Sequence, residues 1–77
     1  LSMTLNLRTV ESEIAQSLTD VQNKNTDVEI GSYPFFRAGK LGVSLVLRST
    51  DKKKIATCND QILDFVKRKK IDLVEED

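Results

Sequence analysis

A chain of 77 residues supports one thin core, because a domain of this size buries only about 60% of the surface its unfolded form exposes. Twelve basic and twelve acidic side chains cancel at pH 7, which excludes a protein steered as a whole toward nucleic acid or anionic lipid. A single cysteine with no histidine and no tryptophan excludes a disulfide-stapled mini-protein and removes the commonest general base and zinc ligand, and with no apolar run of membrane-spanning length the chain reads as soluble and cytoplasmic.

Met3, Leu5 and Leu7 alternate with Thr4 and Asn6, the period of a strand with one buried face. Thr9 stands as the N-cap of a following helix, with Glu11 and Glu13 in the first turn where carboxylates meet the positive end of the dipole. Val10, Ile14, Leu18 and Val21 recur at helical spacing, so the helix is predicted over about Val10 to Asn23, ended by the polar stretch to Asp27. Val28 and Ile30 then predict a short second strand that leaves the sheet at Gly31-Ser32-Tyr33-Pro34, since proline cannot donate to a ladder. Phe35 and Phe36 follow, Arg37 to Gly42 reverses the chain, and Val43, Leu45 and Leu47 alternate with Ser44, Val46 and Arg48 in the clearest strand.

Ser49, Thr50 and Asp51 offer N-caps for a second helix whose apolar stripe is Ile55, Cys58, Ile62, Phe65 and Val66. Lys67-Arg68-Lys69-Lys70 place cations at its C-terminal end, where the dipole favours them. Ile71, Leu73 and Val74 predict a last strand before an acidic tail, Glu75-Glu76-Asp77. This order predicts an α+β fold, the ferredoxin-like βαββαβ two-layer sandwich, with an antiparallel sheet carrying both helices on one face. Should Met3 to Leu7 fail to pair, a three-stranded KH-like variant results. The face away from the helices would show Thr4, Asn6, Glu29, Ser44, Val46, Arg48, Asp72 and Val74, a mixed and wettable surface. No repeat or linker divides residues 1–77, which read as a single small domain.

Charge is unevenly placed. Nine basic and three acidic residues lie from Lys40 to Lys70, against two and five from Leu1 to Phe36. Gly39-Lys40-Leu41-Gly42 has the form of the G-x-x-G loop with which KH domains grip a nucleic-acid backbone. That loop joins two helices, however, whereas this one precedes a strand and reads as a hairpin turn. The strand Gly42 to Leu47 carries no aromatic for base stacking, so nucleic acid is not the expected partner. The alternative function is nonetheless a small KH-like or RNA-binding module using Lys40, Arg48, Lys52 to Lys54 and Lys67 to Lys70.

Catalysis finds no footing. Cys58 lies on the buried stripe with no histidine to activate it. Asp60 and Asp64 are one helical turn apart, but no third ligand joins them, so no catalytic residue, metal ligand or cofactor site is assigned. A pair of adjacent aromatics in extended chain points to opposite sides, so one of Phe35 and Phe36 is predicted to be exposed.

The stretch Val28-Glu29-Ile30-Gly31-Ser32-Tyr33-Pro34, followed by the Val43-Ser44-Leu45-Val46-Leu47 strand and a helix opening at Asp51, resembles the small domain that follows the molybdopterin-binding-type domain in FAD synthases and their relatives. The likeness runs from about Leu5 to Phe65, and its most distinctive part is Gly31 to Pro34. In that family the chemistry belongs to other domains, so the resemblance implies a non-catalytic accessory domain, with no cofactor of its own, in a parent with FAD synthase or FAD pyrophosphatase activity. It implies as partner the neighbouring molybdopterin-binding-type domain, or a second copy in a homodimer. Gly31, Ser32, Tyr33, Pro34, Phe35 and Phe36 are then the candidate contacts, with Tyr33 and the outward phenylalanine covering apolar surface.

Overall fold

The computed structural model describes residues 1–74; the acidic tail Glu75-Glu76-Asp77 lies outside the described residues. The chain runs β1 (Ser2–Arg8), α1 (Glu11–Lys24), β2 (Glu29–Arg37), β3 (Lys40–Arg48), α2 (Lys52–Arg68) and β4 (Asp72–Leu73). The strands form one sheet in the order β2-β3-β1-β4, every pairing antiparallel. This is the ferredoxin-like arrangement. β1 pairs with β3 from Ser2 to Leu7, so the three-stranded KH-like variant does not occur.

The core lies between sheet and helices, where the alternation put it. Leu7, Val43, Leu45 and Leu47 point inward from the sheet and meet Ile14 and Val21 of α1 and the whole α2 stripe, Ile55, Cys58, Ile62, Phe65 and Val66. Asn25 ties the two helices together, its amide donating to Val21 O and to Gln61 Oε1, each at 2.7 Å.

The helix ends show which local signals prevailed. Asp51 caps α2 by accepting from the Lys53 amide at 2.8 Å. Thr9 does not cap α1: β1 extends to Arg8, which pairs with Asp72, and the N-cap is Val10, extended and without a side-chain cap bond. Glu11 and Glu13 remain in the first turn, where they offset the orphan amides electrostatically. α2 ends with Lys70 at a positive φ of 57°, the Ile71 amide reaching Val66 O at 2.9 Å and the Lys70 amide Lys67 O at 3.1 Å. That pattern is the Schellman closure, here with lysine where glycine is usual.

The second strand does not leave the sheet at Gly31 to Pro34; it continues nine residues, paired with β3 from Glu29↔Arg48 to Arg37↔Lys40 around a two-residue turn. Ala38 and Gly39 both have positive φ, 52° and 75°, as a turn matched to strand twist requires. Counting outward from that turn, the ladder alternates so that Pro34 falls in a pair without mutual hydrogen bonds, and its nitrogen points off the sheet. β2 is an edge strand, so no ladder bond is lost. The same edge is occupied at its start by Gln22 of α1. Its side chain donates to Val28 O at 2.7 Å and accepts from the Ile30 amide at 3.3 Å, standing where another strand would bond.

Candidate functional site

The continuation of β2 decides where the candidate contacts point. Alternation sends Ser32, Pro34 and Phe36 to the helix side and Gly31, Tyr33 and Phe35 to the outer face of the sheet. Phe36 is the exposed phenylalanine, at 67%, and its cross-strand partner Leu41 is 55% exposed. Both belong to the stretch of hairpin that outruns the helices: Ser32, four residues before Phe36, already donates to Glu11 Oε1 in the first turn of α1 at 3.0 Å, and β1 ends opposite Gly42 and Val43. The core cannot reach them there, so two large apolar side chains stand side by side in water.

On the outer face each aromatic lies over a glycine. A Cβ built on Gly31 would sit 2.8 Å from Tyr33 Cε2 and from its Oη, and one built on Gly42 would fall inside the Phe35 ring. The rings therefore rest on bare backbone, in space a side chain would otherwise fill. The Arg37 guanidinium carbon stands 4.8 Å from the Phe35 centroid, a cation–π distance. Tyr33 remains 53% exposed. Tyr33 and Phe36, expected to cover one apolar surface together, thus face opposite ways and cannot do so against one flat partner.

The other candidates resolve as core or solvated surface. Cys58 is buried, and burial pushes its thiol above the ordinary value, opposite to what a nucleophile needs. Asp64 accepts from Arg68 Nε at 3.0 Å, and among the described residues no group of three His, Cys, Asp or Glu could hold a metal. Gly39 serves the turn and Gly42 the close approach of Phe35, so Gly39 to Gly42 is a hairpin and not a helix-joining loop. The basic residues named for a KH-like module do not form one patch: Lys52 to Lys54 open α2, Lys67 to Lys70 close it, and Lys40 and Arg48 sit at opposite ends of β3. No helix among the described residues is long and apolar enough to cross a membrane.

Lys54 forms an ion pair with Asp27, across the end of the domain opposite the hairpin tip. The hydrogen bond from Lys54, and then its charge, hold the Asp27 carboxyl below its ordinary value, while the Lys54 ammonium is raised by the same contacts. A carboxyl lowered on folding contributes stability that is present above its unfolded pKa and is lost as pH falls through the folded one. Asp27→Asn is therefore expected to lower stability slightly near neutral pH, where the pair is intact, and to flatten the acid limb, so that the two proteins converge as pH falls. Urea denaturation from pH 5 down to pH 2 checks this; identical acid limbs would show that the pair contributes nothing.

A comparison with protein families matches residues 1–75 to the family described as FAD synthase, middle domain. No curated protein and no solved structure matches significantly.

Proposed function

The chain belongs to the FAD synthase middle-domain family, and from that premise we propose that it is a non-catalytic accessory domain of a cytoplasmic FAD-synthase-like protein. Its neighbour in the parent chain is then a molybdopterin-binding-type domain that handles the nucleotide. The domain supports that neighbour through the tip of the β2 to β3 hairpin.

The observation that carries this reading is the Phe36 and Leu41 pair, apolar, adjacent and standing clear of the core. Exposed aromatics beside aliphatic side chains are what a docking contact uses at its centre. Pro34, also exposed on the helix side, extends the apolar strip along β2. The strands stay paired up to Arg37↔Lys40 at the two-residue turn, which lowers the ordering cost of a contact made there.

The test uses the full-length parent chain carrying Phe36→Ser with Leu41→Ser. In the isolated domain the pair of changes is expected to cost under about 1 kcal/mol each, as surface substitutions do. In the full-length protein the same changes are expected to free the domain from its neighbour, seen as faster proteolysis between the two and a larger radius in solution scattering. A parent chain whose cleavage rate and radius are unchanged would overturn the hairpin-tip contact. A second copy of this domain as the occupant would show instead as concentration-dependent dimerisation abolished by the same variant.

A further inference from the structure

The sheet face away from the helices carries a second surface, independent of the hairpin-tip contact. By alternation it presents Arg8, Arg37, Lys40 and Arg48 against Glu29 and Asp72. Glu29 stands directly opposite Arg48, and Arg8 stands opposite Asp72 while donating to Leu41 O at 3.1 Å. The cationic surplus therefore collects toward the turn, at Arg37 and Lys40, which face each other across the first pair of the hairpin. In the same quarter lie Tyr33 and Phe35, two residues and so about 7 Å apart along β2, both laid over glycine backbone.

From this placement we infer that the outer face of β2 and β3 binds single-stranded nucleic acid, with a base stacked on Tyr33 and adjoining phosphates held by Arg37 and Lys40. The main argument against such a surface was the lack of aromatics in Gly42 to Leu47. β2 answers it, because it continues past Pro34 and lays two rings beside that strand. Sequence-tolerant binding of single strands combines aromatic faces with a cationic track for the backbone, and both are present. Tyr33 offers an open ring face, being half exposed, whereas Phe35 is shared with Arg37. The guanidinium that covers Phe35 is thus also the group placed to meet a phosphate beside the base on Tyr33. A duplex does not fit this arrangement, since its bases are already stacked on each other.

The charge that would serve such a ligand is local, which explains how a chain with no net charge can carry it. Neither Lys52 to Lys54 nor Lys67 to Lys70 belongs to this face; both groups lie on the helix layer. That separation makes the inference testable by variant.

The probe is a fluorescently labelled single-stranded 12-mer, as RNA and as DNA, titrated with the 77-residue chain and followed by anisotropy. Binding is expected, weakening roughly sevenfold between about 50 and 200 mM salt if two phosphates are neutralised. Tyr33→Ala is expected to weaken it on the order of tenfold, and Tyr33→Phe, which keeps the ring, to leave it within about twofold. Arg37→Ala with Lys40→Ala is expected to weaken it and to flatten the salt dependence, while Lys52→Ala with Lys53→Ala leaves it unchanged. RNA binding without DNA binding, or the reverse, would identify the sugar that is read and uphold the site. Absence of binding at 50 mM salt would overturn the inference. So would binding that ignores Tyr33→Ala but follows the α2 lysines, since that would assign it to unspecific attraction.

Discussion

Replacing Phe65 with alanine is expected to cost roughly 3–5 kcal/mol, the usual loss for truncating a buried phenylalanine. Phe65 is 2% exposed and is among the largest fully buried side chains. It sits on the α2 stripe between Ile62 and Val66 and closes the base of the groove where α1 and α2 meet, beside Val21. A domain of this size has a stability near the lower end of about 5–15 kcal/mol, so most of it would be lost. The melting temperature should fall by on the order of 20 °C. Thermal denaturation followed by circular dichroism measures it, with Phe36→Ala as the comparison that removes an equal ring from solvent. A loss under about 1 kcal/mol at Phe65 would contradict its place in the core, because only a surface ring can be removed so cheaply.

Gly42→Val is expected to destabilise by about 1–3 kcal/mol, although valine is by propensity the better strand residue. The sign is what makes the result informative. Gly42 is buried within β3 beneath the Phe35 ring, and any Cβ there enters that ring. Phe35 must then swing off the sheet, giving up its contact with the strand and its stacking with Arg37. The same change combined with Phe35→Ala should cost less than the sum of the two single changes, a coupling of at least about 0.5 kcal/mol, as expected for residues in contact. Additivity within error in urea denaturation would mean that the ring does not occupy the space above Gly42. Gly31→Ala offers a milder comparison, because the group it meets is the exposed end of Tyr33, which can rotate into water.

The elements legible from the sequence were those whose apolar period nothing interrupts. Val43, Leu45 and Leu47 marked β3, and the five-residue stripe from Ile55 to Val66 marked α2, because each side chain's burial follows directly from the geometry of its element. The cap of α2 was legible to within three residues, Ser49, Thr50 and Asp51, all with a side-chain oxygen; that Asp51 is the one used depends on where the helix starts, its carboxylate accepting from the Lys53 amide. Val10 as the cap of α1 was not legible, since it makes no side-chain bond and is placed by where β1 stops pairing.

The largest difference lay at Pro34. A proline reads as the end of a strand only when its missing N–H would have been used, and that depends on which edge the strand occupies and on the parity of its pairing. Neither is local information. Reading the exit there also hid the outer-face placement of Tyr33 and Phe35. What could have revealed it is the pairing of glycines with aromatics, Gly31 with Tyr33 and Gly42 with Phe35, since a ring laid over glycine is a recurrent way of filling a bare site on a sheet. Membership of the family was legible from Gly31 to Pro34, although the structural role of that stretch is continuation of the strand and not departure from it.

The position of β1 bears on how the chain assembles. The strand nearest the N-terminus lies inside the sheet, between β3 and β4, and its partners on β3 are some 36 to 46 residues away in sequence. The β2 to β3 hairpin has its contacts close at hand and can close in roughly 1–10 μs, whereas β1 must be carried across that long loop before its bonds reward the entropy spent. On these separations the hairpin and α2 are expected to form a half-sheet with an open inner edge, with β1 docking onto it later. Until then the inner edge of β3 presents unpaired backbone N–H and C=O groups, a ready template for pairing with another chain. Whatever precedes Leu1 in a longer polypeptide must leave β1 free to reach that edge, so the timing of folding is governed from the end of the chain that contributes least to the visible surface of the hairpin.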